Sequence, residues 1–261
     1  MIVTRIQGGV ANQIFQWANA RSLQLDGQDS CIEISHYQNQ AGMTQREFIL
    51  DKFPFIKYEL YTGVQDGKQF QQLTDDFIYK PISVSNDYHL YLNGYWQSEK
   101  YFLKNVDTIV SELLPNANTI MKLSQKYPNL NKKSISIHVR RGDYVNQQQN
   151  HPVQPIEYYI KAMEIMGDDY DQLYIFSDDI EWCKQNFNFP KSVYVKNDSD
   201  LEDLWMMAMC QKNIIANSSF SWWGAYLNSN PEKVVIYPGL WFGENLKLPM
   251  LDLIPEGWLK I

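Results

Sequence analysis

Short apolar runs, each followed by a polar turn and then by apolar residues at helical spacing, recur along this chain and predict strands alternating with helices. Ile2 to Ile6 predicts a strand, and the polar turn Gln7-Gly8-Gly9-Val10-Ala11-Asn12-Gln13 follows it. Ile14, Trp17, Ala18 and Leu25 then recur at helical spacing until Gly27. Cys31 to Ile34 predicts a second short strand. From there to about residue 87 the chain is polar, with Gln69, Gln71 and Gln72 clustered, and reads as loops and short helices. Tyr88 to Leu92 alternates as a strand does and ends in Asn93-Gly94-Tyr95-Trp96-Gln97-Ser98, a turn that feeds a helix beginning near Glu99.

The second half alternates more plainly. Pro115 through Lys133 holds asparagines, lysines and two prolines and reads as the connection between halves. Strands at Ile135–Val139, Leu173–Phe176, Val193–Val195, Asn213–Ala216 and Val234–Tyr237 are interleaved with helices at Ile156–Met166, Ile180–Asn186 and Asp200–Gln211. That order implies parallel strands joined by right-handed crossovers. Ser199 stands three residues before Glu202, a capping-box spacing, and Leu201, Leu204, Trp205, Ala208 and Met209 mark the buried face of that helix. The expected organisation is α/β, with an amino-terminal domain over 1–125 and a Rossmann-like carboxyl-terminal domain over 126–261. The last segment, with Trp241 and Trp258, is expected to pack back on the amino-terminal half.

Charge narrows the ligands. The net charge is -7 and no basic tract occurs, so there is no electrostatic footprint for nucleic acid, and an anionic ligand has to be caught locally. Cys31, Cys183 and Cys210 are odd in number, far apart and flanked by apolar residues, which reads as reduced core thiols in a cytoplasmic protein. Neither a metal site nor a cofactor is expected. No apolar run approaches the roughly 18 residues of a membrane span, so no integral membrane segment is expected, while peripheral membrane contact stays open. An aromatic content of 14% suits sugar-stacking surfaces and an aromatic core equally well.

The chemistry concentrates where strands end. His138-Val139-Arg140-Arg141-Gly142-Asp143 places two guanidiniums at the carboxyl end of a strand, a suitable seat for a diphosphate. A structural ion pair between either arginine and Asp143 explains the same residues. In a parallel sheet the carboxyl ends share one edge, so His138, Arg140, Arg141, Asp143, Ser177, Asp178, Asp179, Asn217, Ser218 and Ser219 converge. Several of these have a second explanation. Asn217-Ser218-Ser219 offers hydroxyls and amides to a phosphate at a helix start, or merely caps that helix. Asp178-Asp179 is a metal pair, a helix cap or an acceptor for guanine N–H groups. His138 touches ligand or is a neutral histidine bonded at a strand end, and Asn12 and Gln13 touch ligand or cap the first helix. Trp222 and Trp223 read as packing residues.

Five stretches together resemble the ordered motifs of the α-1,2-fucosyltransferases, glycosyltransferase family 11. They are Gln7 to Gln16, Gly94 to Phe102, His138 to Asp143, Phe176 to Asp179 and Asn217 to Gly224, which includes Phe220. One departure is Ala11, where the family's turn carries glycine. The resemblance implies a GT-B-like enzyme, two Rossmann-type halves facing a cleft, with GDP-β-L-fucose held by the carboxyl half. The amino half shapes the acceptor side, and Gly8, Gly9, Asn12 and Gln13 are expected to bind substrate, with Asn12 and Gln13 facing the sugar or diphosphate. It implies Arg140 on the β-phosphate, His138 with Asp178 or Asp179 on guanine, Ser218 and Ser219 on phosphates, and a galactose-containing acceptor. The product would be an α-1,2-fucoside made without a metal, in assembly of a surface polysaccharide. Asp143 is the first candidate base and Glu99 the second. The alternative is a non-catalytic nucleotide-sugar or glycan-binding module of the same fold, while kinase chemistry lacks its phosphate loop.

Overall fold

A computed structural model describes residues 1–38, 40, 45–75, 77–130 and 133–261. The chain forms two compact units, Met1–Leu114 with Leu248–Pro255, and Pro115–Lys247 with Glu256–Ile261.

The first unit contains β1 (Ile2–Arg5), α1 (Val10–Leu25), β2 (Ser30–Glu33), β3 (Phe70–Thr74), β4 (His89–Asn93) and α2 (Val106–Leu113). Its strands are all parallel in the order β2-β1-β4-β3, with Val3 level with both Cys31 and Tyr91. Ile2, Leu90 and Leu92 pack on one face with Leu23 of α1, and α1 buries Ile14, Phe15, Trp17 and Ala18. β3 lies in the glutamine-rich stretch that reads as loop. It is an edge strand exposed along most of its length, so burial imposes no apolar alternation on it. The helix expected near Glu99 starts as two 3-10 turns, Glu99–Tyr101 and Leu103–Asn105, and becomes α-helical only at Val106. The returning segment is tied in by Leu253, which is buried, and by Asp252, which accepts the Tyr79 N–H at 2.8 Å and pairs with Lys100.

The second unit contains α3 (Ala117–Lys126), β5 (Ser134–Val139), α4 (Ile156–Met166), β6 (Gln172–Ser177), α5 (Ile180–Asn186) and β7 (Ser192–Tyr194). It continues with α6 (Asp200–Met209), β8 (Lys212–Ile214), α7 (Ser219–Tyr226), β9 (Val235–Tyr237) and β10 (Leu259–Lys260). The strands are all parallel in the order β10-β9-β8-β5-β6-β7. This is the doubly wound order, which reverses direction between β5 and β8. Ile135, Ile137 and Val139 face an apolar core with Tyr159, Ala162, Leu173, Ile175 and Cys183. Ser134, Ser136 and His138 alternate to the opposite face, where the Asn213 amide donates to Ser136 Oγ at 2.7 Å and to the Met207 carbonyl of α6 at 2.8 Å.

Two expectations change here. The stretch read as a connection contains α3: Asn116 caps it by accepting the Thr119 N–H at 2.9 Å, its polar residues lie outward and only Leu123 is buried. Residues 131 and 132 of that stretch lie outside the described residues. On α6, Ser199 Oγ accepts the Glu202 N–H at 3.3 Å as expected, but Met206 and Met207 take the buried positions assigned to Ala208 and Met209. The helix contacts both α3 and α7, so its apolar stripe is wider than one face. Trp222 and Trp223 are fully buried, and all three thiols are buried and free. Among the described residues no helix is long and apolar enough to cross a membrane.

Candidate active site

In a doubly wound sheet the ligand crevice opens outside the carboxyl ends of the two strands where the order reverses. In the second unit those strands are β5 and β8, whose ends lead into His138–Asp143 and Asn217–Ser219. Residues more than 70 positions apart in sequence therefore share one edge.

Both arginines are held by carboxylates. Arg140 donates Nη2–H to Asp143 Oδ1 at 2.6 Å and pairs through Nη1 with Asp178 Oδ2 at 2.9 Å, and its guanidinium lies 5.2 Å from the Tyr144 ring centroid. Arg141 donates Nε–H to Asp179 Oδ2 at 3.0 Å and stacks 4.0 Å over Trp182. Its backbone N–H donates to Asp178 Oδ1 at 2.9 Å. A side chain at Gly142 would overlap Asp178, so glycine is needed there for this carboxylate to reach both arginines. The ion pairs weighed against a phosphate role are thus present, but Arg141 pairs with Asp179 instead of Asp143. Asp179 also caps α5, its Oδ1 accepting the Trp182 N–H at 3.2 Å. With every one of these oxygens engaged, Asp178 and Asp179 act here as supports for the arginines.

His138 is 5% exposed, and its ring lies 5.6 Å from that of Phe220 at the start of α7. Burial, reinforced by the Arg140 charge, lowers its pKa to about 3, so the imidazole is neutral. Its Nδ1 is buried without a hydrogen-bond partner. The strand-end hydrogen bond offered as its bland explanation is therefore missing at that nitrogen. The Asn217 amide donates to the Pro152 and Trp241 carbonyls at 3.0 and 2.9 Å, anchoring two loops, while its Oδ1 is buried without a partner. Ser218 caps α7 by accepting the Phe220 N–H at 3.3 Å. Ser219 opens that helix.

In the first unit Gly8 adopts φ +82°, and a Cβ there would meet Asn12 Nδ2 at 2.9 Å. Gly9 caps α1 without a side-chain bond, so neither Asn12 nor Gln13 is its cap. Asn12 Oδ1 accepts from Gln97 Nε2 at 2.8 Å. Gln13 is fully buried; it donates to the Gly8 and Glu47 carbonyls at 3.1 and 2.8 Å and accepts the Ile49 N–H at 2.9 Å, which makes it a brace of the turn. Glu99 opens the 3-10 turn capped by Ser98.

Three contributors went unread in the sequence. Tyr144 lies beneath Arg140, and His151 stacks on Tyr144 at 4.9 Å; both follow the arginine motif, but only the loop's path brings His151 back. Gln16 accepts the Gln7 N–H at 2.8 Å and donates to the Gly94 carbonyl at 3.0 Å, bolting together the turns that follow β1 and β4. Apart from these, Asp203, in the first part of α6, has its pKa raised by burial to about 6 against a hydrogen bond from Asn197. A perturbed acid of that kind has no one-dimensional signature. Among the described residues no group of three or more His, Cys, Asp or Glu side chains is placed to hold a metal ion.

Residues 1–247 match the family model described as Glycosyl transferase family 11. An α-1,2-colitosyltransferase of Escherichia coli is 32% identical, over 100% of this chain and 99% of its own. The O-antigen biosynthesis glycosyltransferase WbnK of Escherichia coli is 29% identical, over 98% of this chain and 99% of its own. Among solved structures, NodZ, an α-1,6-fucosyltransferase in crystals soaked with GDP-fucose, aligns with a TM-score of 0.53 at 14% identity, covering 87% of this chain and 91% of that one. With the parallel sheets, that likeness establishes the GT-B-like α/β class.

Proposed function

This chain belongs to glycosyl transferase family 11, and on that premise we propose that it moves a 6-deoxy-L-sugar from a GDP-activated donor to the 2-hydroxyl of a galactose-terminated glycan, inverting the anomeric carbon. L-fucose is the sugar implied by the motifs; colitose, fucose without its 3-hydroxyl, is the sugar in the name of the Escherichia coli relative. A role in assembling a bacterial surface polysaccharide follows from the same relatives. The second unit would hold the donor and the first would shape the acceptor side.

One observation carries this reading: two guanidiniums, the start of α7 and a buried neutral His138 with an unsatisfied Nδ1 stand on the two strands that flank the reversal. As the bond from the anomeric carbon to the diphosphate lengthens, positive charge grows on the sugar and negative charge on the leaving GDP. Arg140 can exchange the oxygen of Asp143 for phosphate oxygens, and the N–H groups at the start of α7 add a favourable field. His138 Nδ1 offers one hydrogen bond to the guanine edge. With Asp178 and Asp179 spent on the arginines, their carboxylates are not left over for guanine N–H groups. The acceptor oxygen attacks from the face opposite the departing phosphate. Its proton passes to Asp143, or to solvent if the transition state is strongly dissociative.

The test is GDP release from GDP-fucose and from GDP-colitose, with and without lactose, in EDTA. Turnover of either donor is expected without metal, and Arg140→Lys is expected to lower kcat/KM by about 100-fold or more, because the planar fork is lost where charge develops. Tight GDP-fucose binding with no release from either donor would instead identify a non-catalytic binding module.

A further inference from the structure

At the carboxyl edge of the first unit's sheet lies a polar cluster that neither packing nor donor chemistry accounts for. Arg5 ends β1 and Glu33 ends β2, and the two are register partners. Tyr91 of β4 is level with Val3, so all three side chains alternate to the face opposite Ile2, Leu90 and α1. The Tyr91 hydroxyl reaches across β1 and donates to Glu33 Oε1 at 2.5 Å, while Glu33 Oε2 accepts the Ser35 N–H at 2.8 Å. The pair itself is loose: Arg5 Nε stands 3.7 Å from Glu33 Oε1, beyond hydrogen-bonding distance, and is buried with no partner. A structural pair in the same unit looks different. Arg21 grips Glu112 with Nε at 3.0 Å and Nη2 at 2.7 Å.

We propose that Arg5, Glu33 and Tyr91 form a saccharide site that binds a neutral pyranose, the terminal sugar of the acceptor. This rests on the glycosyltransferase reading and adds the residues that would hold its acceptor. One guanidinium and one carboxylate leave the cluster with no net charge, unlike an anion site, and a neutral ligand is what such balance suits. A sugar hydroxyl seated beside the pair accepts from the Arg5 guanidinium and donates to a free lone pair of Glu33, bridging two groups that do not bond each other. Burial pushes the Glu33 carboxyl up, but hydrogen bonds from Ser35 and Tyr91 and the nearby Arg5 outweigh it, so the acceptor group stays ionised. His36, half-buried and edge-on to Tyr37 at 5.2 Å, lies close enough to feel the charges of both Arg5 and Glu33.

The experiment compares the wild-type protein with Arg5→Met, Glu33→Gln and Tyr91→Phe, with lactose as the probe. The acceptor KM is expected to rise about tenfold or more in the first two and less in Tyr91→Phe, since each of the first two removes a charged hydrogen-bonding partner. Release of GDP from donor to water, and the donor KM, are expected to stay within about twofold; Arg5→Lys, which keeps the charge without the fork, should recover only part of the loss. Unchanged lactose KM in folded variants overturns the site, and so does a matching fall in donor hydrolysis, which is the mark of a structural pair. Should the wild type release GDP from neither donor, the glycosyltransferase reading fails separately. Saturation-transfer NMR then still decides the site: signal to lactose that weakens in Glu33→Gln supports it, while no signal, or equal signal in both proteins, overturns it. Tyr91→Phe keeps the judgement available if the charge variants fail to fold.

Discussion

Arg140 is shared unequally by two carboxylates. Asp178 is fixed by three contacts: the Arg140 guanidinium, the Arg141 N–H and the bare backbone of Gly142. Asp143 is 44% exposed and reaches only Arg140 among the bonds described here, so it competes with any anion for that guanidinium. Asp143→Asn is therefore expected to tighten GDP binding about two- to fivefold by calorimetry, the scale of an exposed ion pair. A carboxylate acting only as base would leave binding unchanged and slow transfer alone. His138 sets a pH dependence of the opposite origin. Its folded pKa is about 3 against roughly 6.5 unfolded, so between these values the unfolded chain holds a proton that the folded chain lacks. Stability from this group is complete above about pH 6.5 and falls as the pH drops. Asp203, raised to about 6, works in reverse and loses stability as pH rises from its unfolded value, partly masking His138 in the wild type. Denaturant titrations of wild type and His138→Gln are expected to diverge by about 2 kcal/mol between pH 7 and pH 5. At this scale the sequence displayed the arginines and the aspartate three residues on. It did not display Asp178 and Asp179 as their partners, because that pairing requires Val139 to lie level with Ser177 across two strands.

Turns at the element scale are held by buried amides more than by the glycines that advertise them. Gly8 marks the turn after β1 because its φ is positive, but what ties this turn to the one after β4 is Gln16, a residue inside α1. Gln16→Leu keeps the volume and strands the Gln7 N–H and the Gly94 carbonyl without partners. A loss of about 1–3 kcal/mol in urea unfolding is expected, since the two groups left without partners are half-buried. Elements with apolar residues at strand or helix spacing were legible: β1, β2, β4 to β9 and α4 to α6, with ends displaced by a residue or two. The three that were not, β3, α3 and β10, share a physical cause. Each is mostly exposed, β3 and β10 as edge strands and α3 with only Leu123 buried, so none carries the apolar period that makes an element readable.

On the scale of the whole molecule, the last residues serve both units. Leu253 is buried in the first, and β10 pairs with β9 at the edge of the second. Deleting residues 248–261 is expected to lower the melting temperature of both units in calorimetry, whereas Leu253→Ala should cost about 2–4 kcal/mol in the first unit alone. What the sequence by itself determined were the alternation of strands and helices, hence parallel sheets, and the placing of His138, the arginines and Asn217–Ser219 at strand ends. Those follow from periodicity and turn chemistry, which act over a few neighbouring residues. Only the tertiary structure decided that β5 lies beside β8, that Asp178 and Asp179 hold the arginines, that Gln13 and Gln16 brace turns, and that it is Leu248–Pro255 that returns to the first unit while Trp241 and Trp258 stay in the second. Such pairings are set by which distant surfaces bury one another best, and that free energy leaves no local pattern along the chain.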